Sequence, residues 1–434
     1  MNRRRKRGIA SYIIIIILLL TAFVIFFGFT GIRLIPGIND DENEIIPVAI
    51  NHILTNELSE LSETQKMDAQ IESFMRQWDI KGASLAIMKD EKLIYAKGYG
   101  WADKERGEWA EVKHIFRIAS LSKLITGAAV MKLCEEGKID LSDRPFATGA
   151  TLDLPQFSSI KDSRIRNITI DQLLRHKAGF SNRGGDPMFN LSLISKRLNL
   201  NREAETDEII SYSLNQRLSY NPGHGTRYSN LGYLILSRLI EVVSGLEYED
   251  YVKEHIFKPA GVYDIHLAKN YYDERYINEV KYYEPRDEEL IESYKGDGAM
   301  MQRCYGGNNI RGLLGAGAWV ASPSELLKLI AALDGRDNVP DILTKESVRI
   351  MTNSTPTTLP IGWAKCTSSG DWSRTGTLSG TSALLKYSRD GFSWVFVTNT
   401  SSWKGSTFPR QIDALFRNAF KRVPLWPERD LFDY

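Results

Sequence analysis

The sequence predicts an α+β fold: one antiparallel β-sheet flanked by helices, with an all-helical subdomain set into it. Three observations carry this reading. Strand-like runs occur near the start of the globular part (84–99) and again in the C-terminal third (371–398). Both blocks are joined by short polar turns of the hairpin kind, which link antiparallel neighbours. The long segments of helical period lie between the blocks, so the sheet should unite the two ends of the domain and leave the helices as an insertion.

Taken in order, the chain opens with Arg3, Arg4, Arg5, Lys6 and Arg7, followed by an uncharged run from Gly8 to Ile32. That run is long enough to cross a ~30 Å hydrocarbon core as a helix. It exceeds the apolar stretch of a cleaved leader, and Phe29-Thr30-Gly31 is a poor cleavage site. We therefore expect a cytoplasmic basic stub over 1–7 and a transmembrane signal anchor over 8–32, with cleavage as the alternative. The excess of positive charge before the run places the rest outside the cytoplasm, as a single-pass membrane protein. A linker is expected over 33–65, a catalytic domain over 66–422 and a tail over 423–434. Six of the 55 basic residues precede Asp40, so the remainder is mildly acidic and nucleic acid is not an expected partner.

Met67 to Trp78 has helical periodicity, and Ser84–Met88 with Lys92–Tyr99 reads as a hairpin. A helix should begin near Ser120, with apolar positions at Leu121, Leu124, Ile125, Ala128 and Ala129 and a C-cap at Gly137. Thr169 caps a short helix, and Leu231 to Val243 is a strongly apolar one. Residues 268 to 315 are rich in Tyr, Asp and Glu and read as a lid or insertion. Ser322 caps another helix. Strands at 371–377, 383–387 and 392–398 follow, with Asp390-Gly391 as a hairpin turn, and a helix from Gln411 to Lys421 closes the domain. Cys134, Cys304 and Cys366 are an odd number; Cys304 and Cys366 could pair, though nothing requires it. No CxxC or His-x-x-x-His spacing supports a metal site, and no cofactor is expected.

The chemistry concentrates in three short motifs. Ser120 stands three residues before Lys123, so the two share a helix face. A serine hydroxyl becomes a nucleophile only beside a base, and a lysine is a base only if its charge is suppressed. By itself the pattern is equally a capping serine and a solvated lysine. Tyr228 and Asn230, two apart, point the same way in an extended segment, or cap a helix. Arg374-Thr375-Gly376 lies on a predicted strand, where Gly376 permits close approach and Arg374 offers a fixed positive charge to a carboxylate.

In this order the three motifs resemble those of the serine β-lactamase and penicillin-binding-protein superfamily, most closely its class C-like branch. The resemblance covers residues 66 to about 420 and extends to Phe116-Arg117-Ile118-Ala119, to 168–179 and to Gly315-Ala316-Gly317-Ala318-Trp319. It implies a β-lactamase/transpeptidase-like fold in which Ser120 is acylated, Lys123 activates it and Tyr228 shuttles the proton. Asn230 would position substrate, with Arg374, Thr375, Gly376 and Thr377 as the binding strand. The backbone N–H groups of Ser120 and Thr377 would form the oxyanion hole, and Lys123 and Tyr228 both remain candidate bases. Arg374 departs from the family, where Lys, His or Trp usually stands. The function implied is a membrane-anchored serine acyl hydrolase working through an acyl-enzyme, a D-alanyl-D-alanine peptidase or β-lactamase-like enzyme. Its substrate would be a small-molecule or peptide acyl donor, with peptidoglycan-derived peptides the first expectation. An esterase of the same fold, or a non-catalytic anchored binding domain, is the alternative.

Overall fold

A seven-stranded antiparallel sheet forms the spine of the fold. Its strands run in the order Glu108–Trp109, Lys92–Asp103, Gly82–Lys89, Phe392–Thr398, Thr381–Tyr387, Trp372–Leu378 and Lys365–Cys366. The first and last strand blocks meet in its middle, where Ala83 pairs with Thr398 and Ala86 with Val395. The sheet thus joins the two ends of the domain, as the sequence predicts. The computed structural model describes residues 47–285 and 289–434, and Val48–Tyr434 form one unit.

The sheet is covered on both faces, which is why Gly82–Lys89 is buried along all but its last residue instead of alternating. Leu85 and Ile87 pack with Phe396 against the helices Gln65–Gln77 and Pro409–Ala419. Ala86 and Met88 face the larger core, which holds the helices Ser122–Glu135, Asn230–Ser244 and Pro323–Ala331. Thr169 and Ser322 cap their helices as the sequence predicts. Thr169 and Gln172 form a reciprocal capping box, Ser229 accepts from Gly232 N, Ser322 accepts from Glu325 N, and Gly245 ends its helix at φ 75°.

Several expectations need correction. The linker expected over 33–65 does not extend to Gln65. Ile50 and Leu54 are buried, Ile50 N donates to Glu325, and Asn51 donates to Asp264. The 423–434 tail is also packed: Arg429 donates to the carbonyls of Leu58 and Ile94, and Leu431 is buried. Cys304 and Cys366 are unpaired and buried, and Cys134 is likewise free. The 268–315 insertion is anchored from within. Arg117, with no exposed surface, donates to the carbonyls of Lys269 and Cys304, and Tyr282 is buried against it. Among the described residues no helix is long and apolar enough to cross a membrane. The 8–32 run and the 1–7 stub lie outside the described residues.

Candidate active site

Ser120 lies in a 3-10 turn, Ala119–Leu121, that leads into the helix Ser122–Glu135. Ala119 is held at φ 50°, a left-handed conformation that strains any residue with a Cβ. The turn is fixed from beneath, where Trp319 N donates to Ser122 Oγ and Ile118 N to the Trp319 carbonyl. Lys123 follows on the same helix and has no exposed surface. The helix is apolar on nearly every side, so its second residue is carried into the core.

Around Ser120 the three motifs converge. Its Oγ lies 2.7 Å from the Tyr228 hydroxyl. Lys123 Nζ donates to Asn230 Oδ1 at 2.8 Å and to the Ala316 carbonyl at 2.5 Å, and sits 4.8 Å from the centre of the Tyr228 ring. Arg374 Nε donates to the Ser120 carbonyl at 2.8 Å, and its Nη2 to the Tyr228 hydroxyl at 3.2 Å. With Arg374 as a donor, the phenol oxygen has one proton or none to exchange with Ser120. Thr375 and Thr377 line the same cavity, about 430 Å³, whose apolar walls are Phe189, Leu313, Leu359 and Trp363. Gly376 lets the strand lie against the nucleophile turn: an added Cβ would come 2.3 Å from the Ile118 carbonyl oxygen.

Two of the predicted site residues are also held by their neighbours. Asn230, predicted to serve a substrate carbonyl and the lysine environment, lines the cavity and has one contact at each end of its amide. Oδ1 accepts from Lys123, and Nδ2 donates to Asp186 at 2.7 Å. Arg374 was expected to hold a substrate carboxylate. It is 3% exposed, and its fork is turned to Ser120 and Tyr228. The planar guanidinium can make both bonds at once, which an ammonium at that position does with less reach.

The electrostatics follow from this crowding. Burial drives the Lys123 ammonium down to about 8; Tyr228 opposes the shift and the Arg374 charge adds to it. Burial would raise the Tyr228 phenol, but the Lys123 and Arg374 charges overcome it and bring the phenol down to about 8. An amine and a phenol in contact therefore have nearly matched proton affinities.

Some site residues carried no signal in the sequence. Asp186 is a half-buried carboxylate that caps Met188 N and fixes the orientation of the Asn230 amide. Burial raises its carboxyl above the usual range. Only the Asp-Pro dipeptide marks it, and that reads as a turn. His176 is a wall of the cavity. Its ring lies 4.6 Å from that of Tyr228, and Nδ1 accepts from Ser229 N at 3.2 Å. Burial, then the Lys123 and Arg374 charges, push its pKa well below 6.5, so it stays neutral. The Ala316 carbonyl, delivered by the turn Arg311–Ala316, had no sequence marker as a lysine acceptor. Among the described residues no group of three or more His, Cys, Asp or Glu side chains is placed to hold a metal.

Comparisons with known proteins bear on the family and the fold. Protein flp of Staphylococcus aureus (strain MW2) is 29% identical over 195 residues, 45% of this chain and 36% of that protein, so the chain spans about a third of its length. The D-amino acid amidase from Ochrobactrum anthropi SV3, solved with L-phenylalanine amide, superposes with a TM-score of 0.63 at 21% identity, over 83% of this chain and 99% of that one. The octameric penicillin-binding protein homologue from Pyrococcus abyssi gives 0.61 at 22% identity, over 83% and 79%. The beta-lactamase family signature matches residues 67–415, a span that holds all three motifs. The chain belongs to the beta-lactamase family, a family of serine hydrolases.

Proposed function

We propose that this protein is a serine acyl hydrolase that cleaves amide or peptide bonds through an acyl-enzyme on Ser120, and that it is held at a membrane by residues 8–32 with the catalytic domain outside the cytoplasm. The observation that carries the catalytic reading is the 2.7 Å contact between Ser120 Oγ and the Tyr228 hydroxyl, with buried Lys123 behind that ring. The basic cluster and the uncharged 8–32 run support the anchor.

In the proposed cycle the Ser120 oxygen attacks the acyl carbon, and its proton passes to Tyr228, whose phenolate is favoured by Lys123 and Arg374. The carbonyl π electrons move onto oxygen, where the Ser120 and Thr377 N–H groups stabilise them. Such donors contribute ~10²–10³ each in rate. Collapse breaks the bond to the leaving nitrogen, which takes the proton from Tyr228. Water then attacks the acyl carbon and gives a proton to Tyr228; collapse breaks the bond to Ser120 Oγ, which takes that proton back from Tyr228 as the carboxylic acid product leaves. Tyr228 is the contact base here and Lys123 the group that sets its charge, because the phenol and not the amine lies on Oγ.

The donor class follows from the cavity. Its apolar walls suit an uncharged acyl side chain, and peptides of the D-alanyl-D-alanine kind are the first candidates, with D-amino acid amides beside them. A second reading, ester hydrolysis, is favoured by Arg374, whose fork is not free for a substrate carboxylate. Intact-mass spectrometry after exposure to a fluorophosphonate, a fluorescent penicillin, a D-alanyl-D-alanine peptide, D-phenylalanine amide and a nitrophenyl ester tests both. Adducts that vanish in Ser120→Ala are expected. If none forms with the wild type, the catalytic reading fails; turnover of the ester alone would select the second reading.

A further inference from the structure

A second cavity, about 670 Å³, is lined by five cationic side chains: Lys161, Arg183, Arg197, Arg217 and Arg227. No carboxylate lines it. Its neighbourhood makes this unusual. In the same helical region Arg164 is paired with Asp162, Arg202 with Glu208 and Arg238 with Asp207. Among the described residues none of the five cavity cations is ion-paired. Two of them have neutral partners that orient the guanidinium without discharging it: Arg197 donates to the Tyr212 hydroxyl and Arg227 to Ser219 Oγ at 3.1 Å. Five like charges around one concavity repel one another, and an anion entering it would relieve that repulsion. Four of the five are arginines, whose planar forks match the oxygens of phosphate. The floor is apolar, with Phe180, Leu218 and Leu231.

Neighbouring residues of the same chain segments line the two cavities. Phe189, Tyr228 and Asn230 face the catalytic side, while Arg183, Pro187, Arg227 and Leu231 face the cationic one. Asp186, which holds Asn230, lies in the segment between them.

We propose that this cationic cleft is a binding site for a phosphate-bearing polyanion, separate from the acyl-hydrolase centre and independent of the reaction proposed for it. The phosphate belongs either to a soluble ester or to a lipid headgroup, and the chemistry of recognition is the same for both.

The test uses the full chain in neutral detergent. Tripolyphosphate is titrated by calorimetry at low ionic strength, and micelles doped with phosphatidylglycerol or with phosphatidylcholine are compared by fluorescence. The variant is Arg183→Glu with Arg217→Glu; both side chains are exposed and unpaired, so folding is not at risk, and thermal melting checks it. Tripolyphosphate should bind the wild type, with affinity falling at least tenfold in the double variant and strongly with added salt. The rate of Ser120 labelling by fluorophosphonate should not change. Preference for phosphatidylglycerol micelles that is lost in the variant would assign a lipid headgroup, and tripolyphosphate binding without that preference a soluble ester. Equal affinity for wild type and variant, or no binding of either probe, would overturn the site. Citrate binding as tightly as tripolyphosphate would overturn the phosphate assignment.

Discussion

Arg374 gives the sharpest test of the proton arrangement. Replacing it with Gln removes a cation whose Nη2 lies 3.2 Å from the Tyr228 hydroxyl. With an effective dielectric of ~20 and a charge separation of ~4 Å, the interaction is about 4 kcal/mol. Tyr228 is 44% exposed, so solvent screening reduces this to ~1.5 kcal/mol, roughly one pH unit. Tyr228 and Lys123 both stand at about 8, held down in part by Arg374, and losing that charge raises both. The assay is the second-order rate of Ser120 labelling by a fluorophosphonate between pH 6 and 10. Below the limb the rate follows the fraction of the pair that has lost one proton, so it climbs with pH and levels off above about 8. In Arg374→Gln the limb should move to about 9, with labelling at pH 7 slowed about tenfold and the high-pH plateau better preserved. Arg374→Lys keeps the charge and should leave the limb close to its original place. An unmoved limb in the Gln variant, or an equal shift in the Lys variant, would refute the argument, because either result separates the charge of residue 374 from the proton affinity of the pair.

Four further outcomes follow from the same structure. Gly376→Ala should lower the labelling rate ~10²-fold and cost ~1–3 kcal/mol in urea unfolding, since the new Cβ forces the strand away from Ile118 and from the nucleophile turn. Asp186→Asn should move the pH limb to lower pH, because the Asp186 charge favours protonated Lys123, and should also slow labelling by freeing the Asn230 amide to flip; an unchanged profile would mark Asp186 as a turn cap only. Thr169→Ala should cost about 1 kcal/mol in urea unfolding through loss of the capping box, with no effect on labelling. Asp264 is the acid-sensitive tie to the N-terminal segment. Burial alone would raise its carboxyl, but bonds from His266, Asn51 and Asn278 hold it at about 2, so its ~2.5 kcal/mol is present above the ordinary carboxylate range and is lost as pH falls from about 4 through 2. Asp264→Asn should flatten the stability profile in that window.

What the sequence revealed, and what it hid, follows from range. Caps and turns are local, so Thr169, Ser229, Ser322 and Gly245 could be placed from neighbouring residues alone. The central pairing of Gly82–Lys89 with Phe392–Thr398 was accessible because both blocks are strand-like runs joined by short polar turns in the manner of hairpins. The partner of an amide is not local. Nothing near Asn230 announces that Asp186, 44 residues earlier, occupies its Nδ2. Nor does the spacing of Arg374 say which way its fork turns. The strand puts it on the face that meets Ala119–Leu121, and there the nearest acceptors are the Ser120 carbonyl and the Tyr228 hydroxyl. The packing of 48–64 was hidden for the opposite reason. Its polar composition reads as a tether, yet Ile50 and Leu54 bury themselves and Asn51 finds a buried carboxylate.

The state of Lys123 ties these points together. A lysine at ~10.4 in water must lose about 3 units to serve as a base near neutrality, some 4 kcal/mol, and a helix terminus supplies at most ~2. Complete burial is the larger contribution here, with Arg374 adding to it. Two carbonyl acceptors, Asn230 Oδ1 and Ala316 O, together with the Tyr228 phenol, work the other way by favouring the ammonium. The balance stops at about 8, so at neutral pH the lysine is mostly charged. A charged amine cannot accept the Ser120 proton, but it can stabilise a phenolate, and the phenol is the group that touches Oγ. The burial of Lys123 therefore acts through its spatial neighbour: it places an incompletely neutralised cation against Tyr228 and lets the tyrosine take the proton.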